Sequence, residues 1–467
     1  MTSQETSFIR VLGRWDVLAV AVGAMIGFGW VVLTGEFLDG AGTLGAALAF
    51  VIGGIIMALV GLTYAELASA MPHAGGEHNY LLRGMGARAA FVTSWSLVLG
   101  YVAVVAFEAV ALPFAAQFLI PQLETGRLWS IAGSDVFAAW VAVGVGGALI
   151  MTGLNYIGVR PAAVFQSIVV LFLLAVGAAL LLGSFVGGDT ANMEPLFAGG
   201  VAGMLGVLVA VPFLFVGFDV IPQSAEEINL PFRLIGKLVV VSVLLAAIWY
   251  VLIMLTVGSS LPAAELAGAE LASAEGMAAL WNSRAMGDIL AIGGLAGILT
   301  SWNAFLIGAS RLVFAMARSG MLPAWFGRVH PRFRTPGNAI LLIGGLSVIS
   351  PFFGREALIW MVDAGGLAII IAYIMVAATF LVLRRREPAM ERPFRVPAGP
   401  VVGTLAVVLS VGLAVLFLPG MPSALIVAEW IILAAWVVLG LVFFARLPGI
   451  GPGADAEERL IVATGRR

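Results

Sequence analysis

Three carboxylates stand inside long apolar runs with no basic residue beside them in sequence: Glu108, Asp219 and Asp363. An ionised carboxylate at the centre of a membrane helix costs about 2.5 to 3.5 kcal/mol on insertion scales. Each must therefore be protonated, paired, or in contact with water or a cation, and all of these states are useful for moving a charged solute through lipid. The alternative is a protonated acid bonded to a carbonyl of a neighbouring helix. Two further stretches carry chemistry in their backbone: Gly23-Ala24-Met25-Ile26-Gly27-Phe28-Gly29-Trp30, and Val211-Pro212-Phe213-Leu214-Phe215-Val216-Gly217-Phe218-Asp219. Glycine costs about 1 kcal/mol against alanine in a helix interior. A helix interrupted at membrane depth is tolerated only where the freed N–H and C=O groups face protein or a cavity.

If the first helix breaks here, its outer half begins near Gly27 to Trp30, and its free N–H groups and positive dipole end face the membrane midplane, where they suit a carboxylate. Carbonyls freed at Gly23 to Met25 and at Phe213 to Phe215 suit an ammonium group or a metal cation. The candidate substrate-binding residues are Ala24, Met25, Gly27, Phe28, Gly29, Trp30, Glu108, Phe213, Phe215, Asp219 and Asp363. Aromatic side chains near the breaks can gate a cavity or meet an ammonium through cation–π contact. The competing reading makes the glycines sites of close helix packing and the aromatics packing groups.

The elements that must position these residues are membrane helices. Of 467 residues, 61% are hydrophobic and 11% charged, and the mean hydropathy of +1.08 is far too high for a soluble globule. Requiring about 20 apolar residues per span, and dividing at charged or Pro/Gly-rich breaks, gives twelve predicted spans, near 16–38, 44–70, 91–120, 137–154, 162–186, 202–224, 234–260, 287–315, 338–353, 357–383, 401–419 and 423–445. With the N-terminus inside, only Arg127, Arg284 and Arg355 of the 24 basic residues fall outside. The positive-inside rule then places both termini in the cytoplasm. Arg10 and Arg14 precede the first run as in a signal peptide, but that run is long and ends in no small-residue cleavage site, so it reads as a retained span.

Several chemistries are excluded. The chain has no cysteine, hence no disulfide, thiolate metal site or cysteine nucleophile. Its one lysine, Lys237, is followed by Leu238, so there is no Walker A motif. His73, His78 and His330 all fall in expected cytoplasmic segments without the i,i+4 spacing of a helical zinc pair. No HExxH motif or nucleophile elbow is present, and no enzyme activity is expected.

The loop from Pro72 to Tyr80 reads as a short hairpin touching the cytoplasmic face. Pro262 to Arg284, with Glu265, Glu270 and Glu275 at roughly helical spacing, reads as an amphipathic external helix. The tail after Arg446 is Gly/Pro-rich and polar, with no soluble domain. The two expected breaks lie five spans apart, and an odd number of spans reverses direction, so two five-span halves are inverted repeats.

These features resemble the amino acid-polyamine-organocation family of secondary transporters. The resemblance rests on the glycine break in span 1, Tyr64-Ala65-Glu66-Leu67 with Met71-Pro72 and Gly75-Gly76-Glu77, Gly217-Phe218-Asp219 followed by Ala225-Glu226-Glu227-Ile228-Asn229, and Ser310-Arg311 through Ala317-Arg318-Ser319-Gly320-Met321-Leu322-Pro323. It implies an all-α integral membrane protein of 12 transmembrane helices with the LeuT-type 5+5 inverted repeat, helices 1 and 6 broken, and two extra C-terminal helices. The expected organisation is a cytoplasmic N-terminus 1–14, repeats 15–186 and 187–386, two further spans within 387–445, and a cytoplasmic tail 446–467. Some members carry a lysine in span 5 in place of a sodium ion; alignment from Gly158-Val159-Arg160 puts Leu173 there. Thr300 and Ser301 match the hydroxyl pair that joins span 1 carbonyls around Na⁺ in sodium-coupled members, and their oxygens are hard ligands. Such hydroxyls equally bond back to their own helix. Where the family commonly has a small or hydroxyl residue, this chain has Phe28.

The expected function is alternating-access transport of an amino acid, polyamine or other organic amine across the inner (plasma) membrane, coupled to H⁺ or Na⁺. An acid-rich cavity without a midplane cation favours a substrate carrying positive charge. No cofactor or nucleic-acid partner is expected; the partners are the small-molecule substrate and the lipid bilayer. A major-facilitator transporter would need a long central loop and an arginine-rich signature between spans 2 and 3, which the chain lacks. An exchanger, or a substrate sensor on the same fold, stays open.

Overall fold

The computed structural model describes residues 8–131 and 133–465. The start of the expected N-terminal segment, residues 1–7, and the end of the expected tail, residues 466–467, lie outside the described residues. The first expected span is indeed interrupted: α1 (Arg14–Met25) stops, and α2 (Gly29–Val32) and α3 (Thr34–Ala41) follow. Then come α4 (Thr43–Ala70), α5 (Glu77–Met85), α6 (Ala87–Leu119), α7 (Ala138–Ile157) and α8 (Val159–Gly187). The sixth span is interrupted in the same way, as α9 (Gly200–Phe215) and α10 (Val220–Gln223). The rest of the bundle is α11 (Phe232–Gly258), α12 (Ala263–Gly268), α13 (Ala272–Leu280), α14 (Arg284–Arg318), α15 (Gly337–Ile349), α16 (Ala357–Arg386), α17 (Gly399–Val415) and α18 (Val427–Phe444).

Among the described residues, ten helical stretches are long and apolar enough to cross a bilayer, and two expected spans are shorter, Gly337–Phe353 and Gly399–Val415. At 1.5 Å per residue, the 13 residues of α15 rise only about 20 Å, short of a 30 Å hydrocarbon core. Helices this apolar show no amphipathic stripe, so their position is decided by what they can bury. The apolar window of α6 is 89% buried and forms the middle of the bundle, whereas that of α18 is 11% buried and stands at its edge.

Three connections depart from expectation. An antiparallel hairpin, β1 (Arg127–Ile131) and β2 (Ser134–Phe137), joins α6 to α7 and adds strands to a chain expected to be all helical. The segment 262–284 is two short helices, α12 and α13, because Ala269 adopts extended backbone between them, and Asn282 turns the chain after α13 with φ +46°. The loop after α4 closes with Gly75 and Gly76 at positive φ and opens directly into α5. The tail also carries a helix, α19 (Ala456–Ala463), with Leu460 buried against the bundle.

Charge gathers at the arginine-rich end of the bundle in buried pairs. Arg311 of α14 grips Glu227 through two hydrogen bonds of 2.9 and 2.8 Å, both side chains being 1% exposed. Glu66 of α4 meets Arg384 and, at 3.0 Å, Arg392, and also accepts the backbone N–H of Val396 at 2.7 Å. Removing one partner of a buried pair leaves an uncompensated charge and costs about 3 to 5 kcal/mol. Arg311→Ala is thus expected to lower the melting temperature by several degrees in detergent; an unchanged value would show that this pair does not hold the end of the bundle together.

Candidate functional site

At the first break Ile26 leaves the helix with φ −100° and ψ 52°, and α2 does not begin until Gly29. Among the described residues, the N–H groups of Gly27 and Phe28 have no hydrogen-bond acceptor. The carbonyls on the other side are partly engaged: Tyr250 of α11 donates its hydroxyl to Met25 O at 2.9 Å, and Thr300 of α14 donates to Gly23 O at 3.1 Å and to its own Gly297 O at 2.9 Å. At the second break Val216 is extended and Gly217 takes φ +135°, a conformation that L side chains rarely adopt. A Cβ on Gly217 would also lie 3.2 Å from Met25 N, so the two breaks touch backbone to backbone.

Between the breaks lies a cavity of about 20 Å³, room for one water molecule. Of the candidate residues, Ala24, Met25, Gly27, Phe28, Gly29, Glu108, Phe213 and Ser301 line it. Glu108 is 2% exposed, Ser301 presents its hydroxyl to the carboxyl, and Glu108 Oε2 has no partner. Space beside Gly27 is closed by Ser301 Cβ and Glu108 Oε1, 2.9 and 3.1 Å from where a Cβ would stand. A main-chain kink, a carboxyl and two hydroxyls therefore meet in one apolar chamber.

The other candidates are placed elsewhere. Asp219 turns back on its own break, Oδ1 accepting from Gly217 N at 2.8 Å and Oδ2 facing the Tyr373 hydroxyl at 3.5 Å. It closes the turn at its own break rather than reaching the cavity wall. Asp363 faces Glu429 of α18, on the side of α16 away from the cavity lining. Trp30 packs edge-on against Trp249 at 5.3 Å, and Phe215 stacks on Tyr250 at 5.5 Å, so both brace the breaks from behind. Thr300 joins α14 to α1 without lining the chamber.

Tyr250, Phe107 and Phe305 line the cavity and were not singled out from the sequence. Tyr250 is one of three hydroxyl-bearing residues of α11, with Ser242 and Thr256, and nothing in the sequence says which carbonyl it meets. Phe107 and Phe213 pack at 5.7 Å across the cavity, and on the hairpin side Phe28 touches Phe114, over which Arg355 sits at 4.4 Å. Any solute larger than water enters only when these rings move.

The sequence model of a family described as amino acid permease matches residues 12–444. The chain is 30% identical over 461 residues to the methylthioribose transporter of Bacillus subtilis (strain 168), covering 95% of this chain and 94% of that one. It is 28% identical over 459 residues to the branched-chain amino acid permease BcaP of the same organism, covering 95% and 94%. It is 30% identical over 400 residues to the vacuolar cationic amino acid transporter 4 of Arabidopsis thaliana, covering 81% of this chain and 64% of that one.

Proposed function

The chain belongs to the amino acid permease family and is a multi-pass membrane transporter rather than an enzyme; from that premise we propose that it moves an amino acid or organic amine with an apolar body by alternating access, coupled to protons. The observation that carries this reading is the pair of unpartnered N–H groups, among the described residues, at Gly27 and Phe28 on a buried cavity that also holds Glu108. Backbone donors at the start of a helix suit a carboxylate, and the carbonyls and carboxyl nearby suit an ammonium. Phenylalanines and aliphatic groups make up most of the remaining wall, which favours an apolar side chain.

Coupling to H⁺ rather than Na⁺ is supported by how the two hydroxyls are used. Thr300 already donates to Gly23 O, and Ser301 faces Glu108, so a sodium ion there would have to displace the proton that Thr300 gives to the Gly23 carbonyl. Glu108 has no basic group in contact among the described residues, and a neutral carboxyl is the less costly form in such a place. We further assign residues 15–186 and 187–386 to inverted repeats, since the breaks fall at matching positions of the two halves, and 387–445 to two peripheral helices. The arginine-rich end faces the cytoplasm of the cell whose inner membrane holds the protein, with both termini on that side.

Binding stabilises a folded protein by about 2.7 kcal/mol when the ligand is at 100 times its dissociation constant. A melting-temperature screen of purified protein against apolar amino acids and amines, with and without Na⁺, should show stabilisation that does not require sodium. Stabilisation seen only with Na⁺ would refute proton coupling, and none by any amine-bearing ligand would refute the substrate class.

A further inference from the structure

Below the second break, on the arginine-rich side, a second buried carboxyl occupies a place that neither the cavity nor the ion pairs use. Glu77 is the first residue of α5, fully buried, and reached through the Gly75-Gly76 turn. That turn docks on the break: Gly75 N donates to Gln223 O at 3.3 Å, and a Cβ on Gly76 would stand 3.0 Å from Pro222. Gln223 of α10 donates its side-chain amide to Glu77 Oε2. Glu77 Oε1, Gln223 Oε1 and the hydroxyls of Tyr64, Tyr80 and Tyr101 are all buried without a partner. Tyr64 presents its hydroxyl to the Glu77 carboxyl without the alignment of a hydrogen bond.

Among the described residues, no positive charge offsets this carboxyl. From α4 it faces Tyr64, and from the second break Asp219, itself acidic. From α6 and α16 come Tyr101 and Tyr373, which sense Glu77 and Asp219 together. Within α5 the neighbours are Tyr80 and His78, whose imidazole is buried, pushed down to about 4 by desolvation and so uncharged, with Nδ1 at 3.3 Å from Ser94. Arginines on α5 and on α14, which packs against it, are committed: Arg311 to Glu227, and Arg83 to Glu387. Glu226 accepts from Ala74 N in the same loop, and Glu457 of α19 lies in a separate pocket with His73 and Arg83. An ionised Glu77 would be a buried charge beside another acid, whereas a proton on it supplies the donor that Tyr64 and Gln223 Oε1 lack.

We propose that Glu77 is a proton-binding site that latches the 72–80 loop onto the second break: it holds a proton while this end is shut and gives it to entering water when the loop parts from α10. Burial pushes the Glu77 carboxyl well above its usual value, with Asp219 adding to the shift, in keeping with that role. A group raised in the closed form stabilises that form fully at pH values below its ordinary value in the open form, about 4.3 for glutamate. That stabilisation is lost as pH rises through the raised value. Alkaline conditions at the arginine-rich face therefore favour opening. The latch builds on the alternating-access reading but is independent of Glu108, the substrate and the coupling ion.

The absence of native cysteines allows a direct test on the full chain in proteoliposomes. A cysteine replacing the buried Ser224 reports opening by its alkylation rate, divided by that of a cysteine replacing the exposed Ala454 to remove the reagent's own pH dependence. Between pH 5 and 9 the ratio should rise by up to about tenfold per pH unit over part of the range, and the Glu77→Gln variant should abolish the slope. Gln223→Leu, which removes a donor to the ionised carboxylate, should move the midpoint to higher pH and serves if Glu77→Gln does not fold. A flat wild-type ratio, a wild-type slope retained in Glu77→Gln, or an unmoved midpoint in Gln223→Leu would overturn the proposal. Labelled-substrate exchange in the same vesicles separates the two readings: a pH-dependent ratio without exchange removes transport but keeps the latch, and exchange with a flat ratio does the reverse.

Discussion

Replacing Glu108 by glutamine is expected to abolish substrate accumulation driven by a proton gradient, while exchange of internal for external substrate persists at reduced rate. Among the described residues, Glu108 is the only carboxylate lining the cavity between the breaks, with Oε2 unpartnered and Ser301 at its side. Glutamine keeps the size and the approach to Ser301 but cannot gain or lose a proton. One elementary charge moved through 100 mV is worth about 2.3 kcal/mol, or roughly a fifty-fold gradient of a neutral solute. The steady-state ratio of internal to external substrate should therefore fall from tens to near one, measured in proteoliposomes under an inward proton gradient. A variant that still concentrates its substrate would place the coupling site elsewhere.

The second large effect concerns Gly217. Alanine there meets two separate obstacles: φ of +135° strains any L residue, and the new Cβ would crowd Met25 Cγ and Met25 N, each 3.2 Å away. Neither obstacle is relieved without separating the two broken helices. We expect a destabilisation of about 2 to 4 kcal/mol, and a loss of the substrate binding that Glu108→Gln retains, since the cavity wall on both sides depends on this approach. Melting temperature and ligand-induced stabilisation on the same sample check it. A Gly217→Ala protein that melts normally and still responds to ligand would show that the approach is not needed.

The parts of this architecture legible in the sequence were those encoded in short stretches of chain. The interruption at Gly23 to Gly29 was visible because three glycines in an apolar run are costly, and the structure breaks there and again at Val216 to Asp219. Apolar length located the spans, including the short ninth, which runs from Gly337 through Phe353, though it overestimated the eleventh, whose helix ends early at Val415. The hairpin at Arg127 to Phe137 escaped notice because its burial pattern shows no alternation, four of the five residues of β1 being exposed.

Side-chain direction was not legible. Asp219 and Glu108 both appeared as lone acids in apolar helices, but one turns onto Gly217 N–H and the other enters the cavity. The difference lies in which helix faces them, and that is set by contacts between residues far apart in the chain. Glu77 shows the converse: in sequence it reads as a polar residue of a surface loop, yet the Gly75-Gly76 turn buries it against Gln223. Tyr250 likewise became part of the site only when α11 brought its hydroxyl to Met25 O.

Counterflow is the most direct measure of whether this protein carries an amine-bearing solute across the membrane. Proteoliposomes preloaded with the amino acid or amine that raises the melting temperature most, then diluted into a trace of the same compound in labelled form, should show a transient internal excess of label. The excess should need no sodium and should vanish in Gly217→Ala. Label that binds to the protein but never exceeds its external concentration inside the vesicles would contradict transport and leave a substrate sensor in its place.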